Sequence, residues 1–202
     1  MPPVVVFDLG KVLVDFDYTI AAKKVAARSS RHVENLHEFL SGSPLLAQLE
    51  SGLLTSRQFF SEVQKATGFS GNAEEFCGYF ADIFIPIPAM VELHAALREK
   101  QISTYIFSNT NDIAVTHIRR RFPFFGNFDG YILSYEVGAM KPLPKIYEAL
   151  EAMTGRRGAD IFYIDDRLEN VQAGAARGWQ IVLHESPDAT RAALQKFLSV
   201  RV

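Results

Sequence analysis

Short apolar runs alternate with longer segments of helical periodicity along most of the chain. Buried strands separated by helices are typical of a parallel sheet with crossover helices. The apolar runs are Val4–Phe7, Thr104–Phe107, Tyr131–Leu133, Ile161–Ile164 and Gln180–His184, and the helical segments are Ile113–Arg121, Lys145–Thr154, Leu168–Arg177 and Pro187–Ser199. The pattern therefore predicts an α/β fold, a Rossmann-like parallel sheet sandwiched by helices.

The segment 17–88 interrupts this alternation, because its pattern is helical throughout. It is too long to be a simple crossover in a compact sheet. The predicted helices are Tyr18–Arg28, Val33–Leu40, Leu45–Glu50, Ser56–Thr67 and Glu74–Phe84. Thr55 with Gln58 predicts a capping box, Gly68 a helix stop, and Phe59–Phe60 a contribution to a local core. We expect a core domain of 1–16 and 89–202 with a helical cap inserted at 17–88.

Composition and charge restrict the possible functions. The 202 residues are 48% hydrophobic, which allows a substantial core, and the net charge of −2 offers no basic field for nucleic acid or anionic lipid. The lone Cys77 cannot form an internal disulfide, and the five histidines lack the spacing of a zinc site. Neither a signal peptide nor a membrane span is predicted, so a cytoplasmic location is expected. The oligomeric state cannot be predicted.

Polar residues cluster where the predicted strands end. Because the carboxyl ends of parallel strands share one edge of the sheet, these residues are expected to converge. They are Asp8, Ser108, Asn109, Asp165 and Asp166, together with Lys141 in the turn Gly138–Pro142. An isolated aspartate at a strand end is commonly a cap or turn residue. A set of three carboxylates, a hydroxyl, an amide and a lysine is a much sharper signal.

Phosphoryl transfer is the chemistry that this set suits. A phosphate dianion resists attack by a carboxylate, so the site needs concentrated positive charge and fixed hydrogen-bond donors. Mg²⁺ prefers oxygen ligands and is usually held by one or two carboxylates plus the substrate phosphate. Asp8 and Asp166 can supply the carboxylates, and Lys141 with Ser108 can neutralise the phosphoryl oxygens. Asp8 is then a credible nucleophile.

Four segments of the chain resemble the motifs of the haloacid dehalogenase (HAD) superfamily, in the family's order. They are Phe7–Leu13, Ser108–Thr110, Lys141–Pro142 and Asp165–Asn170. The resemblance covers essentially the whole chain, with the helical block where that family inserts its cap. It implies a magnesium-dependent phosphatase acting on a small phosphorylated metabolite through an aspartyl-phosphate.

The resemblance also implies a role for each motif residue. Asp8 would be the nucleophile and a metal ligand, the backbone carbonyl of Gly10 a second ligand, and Asp166 the main acidic ligand. Asp165 and Asn170 would support them from outside the coordination sphere. The phosphate would be held by Ser108, Asn109 and Lys141, and Lys141 would also assist catalysis.

Gly10 departs from the family pattern. Most HAD phosphatases carry an aspartate there that protonates the leaving oxygen and later activates water. The Asp-Leu-Gly opening and Leu49–Gly52 resemble the branch that includes alpha-D-glucose-1-phosphate phosphatases, whose anomeric leaving group would need less assistance. Asp15 and Asp17 are candidate replacements, although each is more typical of a cap or turn. Lys11 and Glu50 are candidate substrate contacts.

Two other functions are compatible with these residues. A 2-haloacid dehalogenase would use Asp8 against carbon without a metal, but it gains nothing from the adjacent Asp165 and Asp166. A non-catalytic phosphate-binding protein would explain Gly10. A signalling receiver domain does not fit, because there the acidic pair precedes the phosphorylated aspartate.

Overall fold

The computed structural model describes residues 3–199. The strands are β1 (Val4–Phe7), β2 (Val14–Phe16), β3 (Phe84–Pro86), β4 (Ser103–Ser108), β5 (Gly130–Leu133), β6 (Ile161–Asp165) and β7 (Gln180–Leu183). The helices are α1 (Tyr18–Ala26), α2 (Leu36–Ser41), α3 (Pro44–Glu50), α4 (Ser56–Thr67), α5 (Ala73–Ala81), α6 (Pro88–Glu99), α7 (Asp112–Arg121), α8 (Ser134–Val137), α9 (Pro144–Thr154), α10 (Leu168–Ala176) and α11 (Pro187–Ser199). Short 3₁₀ turns cover Pro123–Asn127 and Gly158–Asp160.

The main sheet has five parallel strands in the order β5-β4-β1-β6-β7, which confirms the predicted α/β fold. β1 is the central strand, and all four of its residues are buried. Phe7 is in register with Ile106 of β4 and with Ile164 of β6. The carboxyl ends of these three strands therefore lie side by side.

Alternate residues of β1 belong to hydrophobic clusters on opposite faces of the sheet, as a strand covered on both sides requires. Val5 and Phe7 pack in one cluster with residues of α6, α7 and α11, including Met90 and Leu194. Val4 and Val6 belong to a second cluster with residues of α9 and α10. This packing holds β1, and hence the residue that follows it, in one position.

Helices α1 to α5 form a third hydrophobic cluster. Phe59, Phe76 and Phe80 are fully buried in it, and Phe60 packs against it. α4 begins with both hydrogen bonds of the predicted capping box and ends at Gly68, whose φ is +65°. A cluster separate from the two on the sheet supports the proposed division into a cap of 17–88 and a core of 1–16 and 89–202.

A two-stranded antiparallel ribbon joins these helices to the sheet. β2 pairs with β3, with Phe16 opposite Phe84. The prediction of a helix over Glu74–Phe84 was therefore wrong at its end, because α5 stops at Ala81 and Phe84 belongs to a strand. The two strands are 68 positions apart in sequence, so no local pattern indicates their pairing.

The sequence analysis also missed α6. Its buried residues Met90, Leu93, His94 and Leu97 follow helical spacing, and Pro88 occupies the first turn, where proline favours a helix start. Within residues 3–199, no helix is both long and apolar enough to cross a membrane.

Candidate active site

The ends of three adjacent strands place the predicted acidic residues together. Asp8 directly follows β1, and its backbone N–H donates to the carbonyl of Ile164, 2.9 Å away. Asp165 is the last residue of β6, with Asp166 immediately after it. One carboxylate oxygen from each of Asp8, Asp165 and Asp166 lies within 4.8 Å of the other two. The strand-end convergence expected from the sequence is therefore present in the structure.

Lys141 lies between two of these carboxylates and is itself buried. Its Nζ is 3.1 Å from Oδ1 of Asp8 and 2.6 Å from Oδ2 of Asp165, and it donates to the carbonyl of Phe107 at 2.9 Å. Burial alone would lower the pKa of Lys141, but the charges of Asp8 and Asp165 raise it above its ordinary value. The lysine therefore carries a fixed positive charge at the end of β1.

Every carboxylate oxygen of Asp165 is engaged by the protein. Oδ2 accepts from Lys141 and from the hydroxyl of Tyr163, while Oδ1 accepts from the backbone N–H of Arg167 at 2.9 Å and the side-chain amide of Asn170 at 3.0 Å. Burial would raise the pKa of Asp165, but Lys141 and these donors lower it. Asp165 thus orients its neighbours and has little capacity left for a ligand.

Asp8 and Asp166 have more open oxygens. Asp8 accepts from the backbone N–H of Leu9 at 2.6 Å. Burial raises its pKa, and the charge of Lys141 opposes that rise. Asp166 is partly buried, and its pKa is raised by burial and by the neighbouring Asp165. These two carboxylates, each repelled by the charge of Asp165, line a cleft together with Gly10 and form an all-oxygen donor set of the kind that Mg²⁺ prefers. The residues present therefore fit a divalent cation.

Asn109, Asn170 and Ser108 form the surroundings of Lys141 and Asp165. The side chain of Asn109 exchanges two hydrogen bonds with the backbone of Lys141, at 2.7 and 3.0 Å. The side-chain amide of Asn170 donates to Asp165, and the backbone carbonyl of Asn170 accepts from the Tyr147 hydroxyl. Ser108 is buried, and its hydroxyl donates weakly to the carbonyl of Asn109. Its predicted contact with phosphate stays a prediction.

These residues open onto a cleft of about 440 Å³, a volume suited to a small metabolite. The core side of the cleft includes Asp8, Lys141 and Asp166. The opposite side consists mainly of cap residues, namely Tyr18, Thr19, His37, Ser41, Leu46 and Glu50. Of these, the sequence analysis singled out Glu50 alone, and it missed Arg167 on the core side. No local signal identifies them, since each looks like an ordinary helix-surface residue.

The space at Gly10 is restricted by an aromatic ring. A Cβ added to Gly10 would lie 2.9 Å from Cε1 of Phe16, so a side chain there requires the ring to move. Phe16 packs edge-to-face against both Tyr18 and Phe84. The absence of an acid at position 10 is thus matched by the packing around it. Lys11 follows with φ +58° and lies 4.5 Å over the ring of Phe16.

Neither aspartate predicted as a replacement acid is suited to that role. Asp15 is exposed and paired with Lys11, and the hydrogen bond from Lys11 holds its pKa below its ordinary value. Asp17 lies on the rim of the cleft but accepts from the backbone N–H of Thr19 as the N-cap of α1, which also lowers its pKa. Both side chains are ionised at neutral pH and lack a proton to donate.

Comparisons with known proteins identify the family of the chain. Residues 2–178 match a family model described as haloacid dehalogenase-like hydrolase. Among curated proteins, a D-ribitol-5-phosphate phosphatase of Bacteroides thetaiotaomicron is 24% identical over 190 residues, which cover 87% of this chain and 88% of that protein.

Solved structures give the same picture of the fold. A HAD family enzyme of Bacteroides thetaiotaomicron, crystallised with magnesium and inorganic phosphate, has a TM-score of 0.79 and 24% identity, covering 90% of this chain and 93% of that one. The L-2-haloacid dehalogenase of Xanthobacter autotrophicus has a TM-score of 0.62 and 19% identity, covering 99% and 88%.

Proposed function

The chain belongs to the haloacid dehalogenase-like hydrolase family, and from that premise we propose that it is a magnesium-dependent phosphatase acting on a small phosphomonoester. The observation that carries this proposal is the position of Lys141 between Asp8 and Asp165, with Asp166 beside them. A buried lysine beside a strand-end carboxylate reduces the electrostatic repulsion between that carboxylate and a phosphate dianion. Asp166 would help to hold a divalent cation, which would supply positive charge for the phosphate.

In the proposed reaction, Asp8 Oδ attacks phosphorus while the bond from phosphorus to the leaving oxygen breaks. An aspartyl-phosphate forms, and water then attacks its phosphorus, which releases inorganic phosphate and regenerates Asp8. Lys141 stabilises the charge on the phosphoryl oxygens, and Asn109 keeps the backbone of Lys141 in place. Asp165 holds the lysine. Mg²⁺, bound by Asp8, Asp166 and the carbonyl of Gly10, would supply further positive charge beside the phosphate.

The cap wall supports a small polyhydroxylated substrate. Its lining includes the hydroxyl-bearing residues Tyr18, Thr19 and Ser41 together with Glu50, side chains that can exchange hydrogen bonds with sugar or polyol hydroxyls. The relative named as a D-ribitol-5-phosphate phosphatase points to the same substrate class. A sugar or polyol phosphate is therefore the proposed metabolite.

Phosphate release from a panel of sugar, polyol, nucleotide and aryl phosphates tests the proposal directly. We expect release with Mg²⁺ and loss of release with excess EDTA. L-2-Chloropropionate in EDTA is the matched control for the alternative activity. Chloride release there, without phosphate release from the panel, would establish a dehalogenase. Binding of sugar phosphates without any turnover would establish a non-catalytic binding protein.

A further inference from the structure

Glu50 is an acidic side chain of the cleft that has no role in the proposed reaction as described so far. It is the last residue of α3, partly buried, and it lines the cap wall of the cleft whose core wall contains Asp8. Within residues 3–199 its carboxyl makes no hydrogen bond and no ion pair. A partly buried carboxyl without a partner in a ligand cleft is an expensive feature for the fold, which suggests a function.

The end of α3 is held firmly against the core. Gly52 has a φ of +72°, and an added Cβ would lie 2.4 Å from the backbone carbonyl of Tyr135 in α8, so only glycine permits this approach. Leu49 is buried in the cap cluster on the other side of Glu50. These two contacts fix the backbone on both sides of Glu50. The carboxyl is therefore presented to the cleft from a defined position.

The surroundings of Glu50 favour a carboxyl that can both give and take a proton near neutral pH. Burial raises its pKa to about 7, against the opposing positive charges of Arg167 and Lys141. The carboxyl-terminal end of α3 also disfavours a negative charge. The other titratable groups on that wall are Asp17, Tyr18 and His37, and burial together with the charge of Glu50 raises the pKa of the Tyr18 phenol.

We propose that Glu50 is the general acid and base of the reaction, acting from the cap in place of the carboxylate that is absent at Gly10. The inference rests on the proposed phosphatase function. Glu50 lines the same cleft as Asp8 and is close enough to Lys141 and Arg167 to feel their charges. Asp15 and Asp17 are ionised and engaged elsewhere, and Phe16 fills the space at Gly10.

The proton balance closes over one turnover. The Glu50 carboxyl gives its proton to the leaving oxygen as the phosphorus–oxygen bond breaks, and the product departs as a neutral alcohol. The resulting carboxylate takes a proton from the water that attacks the aspartyl-phosphate. Glu50 is then protonated again, and the enzyme returns to its starting state.

First-turnover kinetics of Glu50→Gln, measured by rapid quench with Mg²⁺, separate this role from a structural one. The two probes are ribitol 5-phosphate, whose alkoxide needs a proton to leave, and p-nitrophenyl phosphate, whose phenolate does not. We expect the first-turnover rate with the alkyl ester to fall about 10²- to 10⁴-fold. With the aryl ester it should change by less than about threefold, with a burst of one equivalent of nitrophenolate before slow turnover.

Glu62→Gln provides the matched control, because Glu62 lies on α4 outside the cleft and pairs with Lys65. It should behave as wild type with both esters. Equal losses of Glu50→Gln on the two esters, or a change confined to KM, would overturn the proposal in favour of substrate positioning. If ribitol 5-phosphate is not turned over, the fastest alkyl phosphate of the panel replaces it. Wild-type enzyme that hydrolyses only aryl phosphates would also overturn the proposal.

The pH dependence of the wild-type enzyme gives a measurement that does not depend on the variant folding. The first-turnover rate with the alkyl ester should fall as pH rises through about 7, because the acid loses its proton. The aryl ester should lack this descending limb, and identical profiles for both esters would contradict the role of Glu50. Absence of phosphate release even from p-nitrophenyl phosphate would instead refute the proposed function itself.

Discussion

The two walls of the cleft differ in how their charged groups are partnered. On the core wall, Lys141 contacts two carboxylates and a carbonyl, and Asp165 accepts four hydrogen bonds. On the cap wall, the Glu50 carboxyl makes neither a hydrogen bond nor an ion pair within the described part of the chain. Groups that stabilise a developing charge act best when they are held in place beforehand. The core wall is thus suited to the phosphoryl group, and the cap wall to the variable remainder of the substrate.

The difference between the walls predicts that the largest loss of activity comes from the core side. Asp8→Asn should reduce phosphate release by about 10⁴-fold or more, since it removes the nucleophile. Thermal stability should be retained, because the amide keeps the shape of the side chain and its oxygen can still accept from the backbone N–H of Leu9. Asp15→Asn, on the exposed partner of Lys11, is the control and should keep its activity. Turnover near the wild-type rate in Asp8→Asn would refute the assignment.

The adjacent aspartates of the core wall should respond differently to the same substitution. Asp166→Asn should raise the Mg²⁺ concentration for half-maximal activity at least about 10-fold, because an open carboxylate is lost. Asp165→Asn should change the Mg²⁺ requirement less. It should instead lower the free energy of unfolding by about 1–3 kcal/mol, because the new amide group faces buried hydrogen-bond donors. Titration with Mg²⁺ and denaturant unfolding measure the two effects. A larger effect of Asp165→Asn on the metal requirement would reverse the assigned roles.

The smallest expected effect tests the cap wall without any substrate. The Glu50 carboxyl keeps its proton in the folded protein up to about pH 7, whereas in the unfolded chain it loses it near its ordinary value of 4.5. Rising pH between these values therefore favours unfolding. Ionising the buried Glu50 carboxyl costs the folded state about 1 kcal/mol, and Glu50→Gln removes this cost. The variant should therefore have a Tm about 2–4 °C above that of the wild type at pH 8 and the same Tm at pH 4. An equal shift at both pH values would show that ionisation of Glu50 does not matter to the fold.

The core wall was predictable because its signals are local. Asp8, Asp165 and Asp166 each follow an apolar run of β-rich residues, and parallel strands bring their carboxyl ends to one edge. The capping box of Thr55 and the stop at Gly68 were predictable for the same reason. α6 carries an equally clear periodicity in its buried residues, although it was not predicted, while the ribbon of β2 and β3 has no local signal.

By itself, the sequence determined the alternation of strands and helices, the helical insertion and the acidic strand ends, because each depends on residues a few positions apart. The tertiary structure alone decided that Asp165 is saturated by its neighbours, that Phe16 occupies the space beside Gly10, and that Glu50 and Asp8 line one cleft. These features arise where cap and core pack together. That packing sets the distances between residues far apart in sequence and the extent to which each carboxyl is removed from water. These two quantities decide which carboxyl can hold a proton near neutral pH.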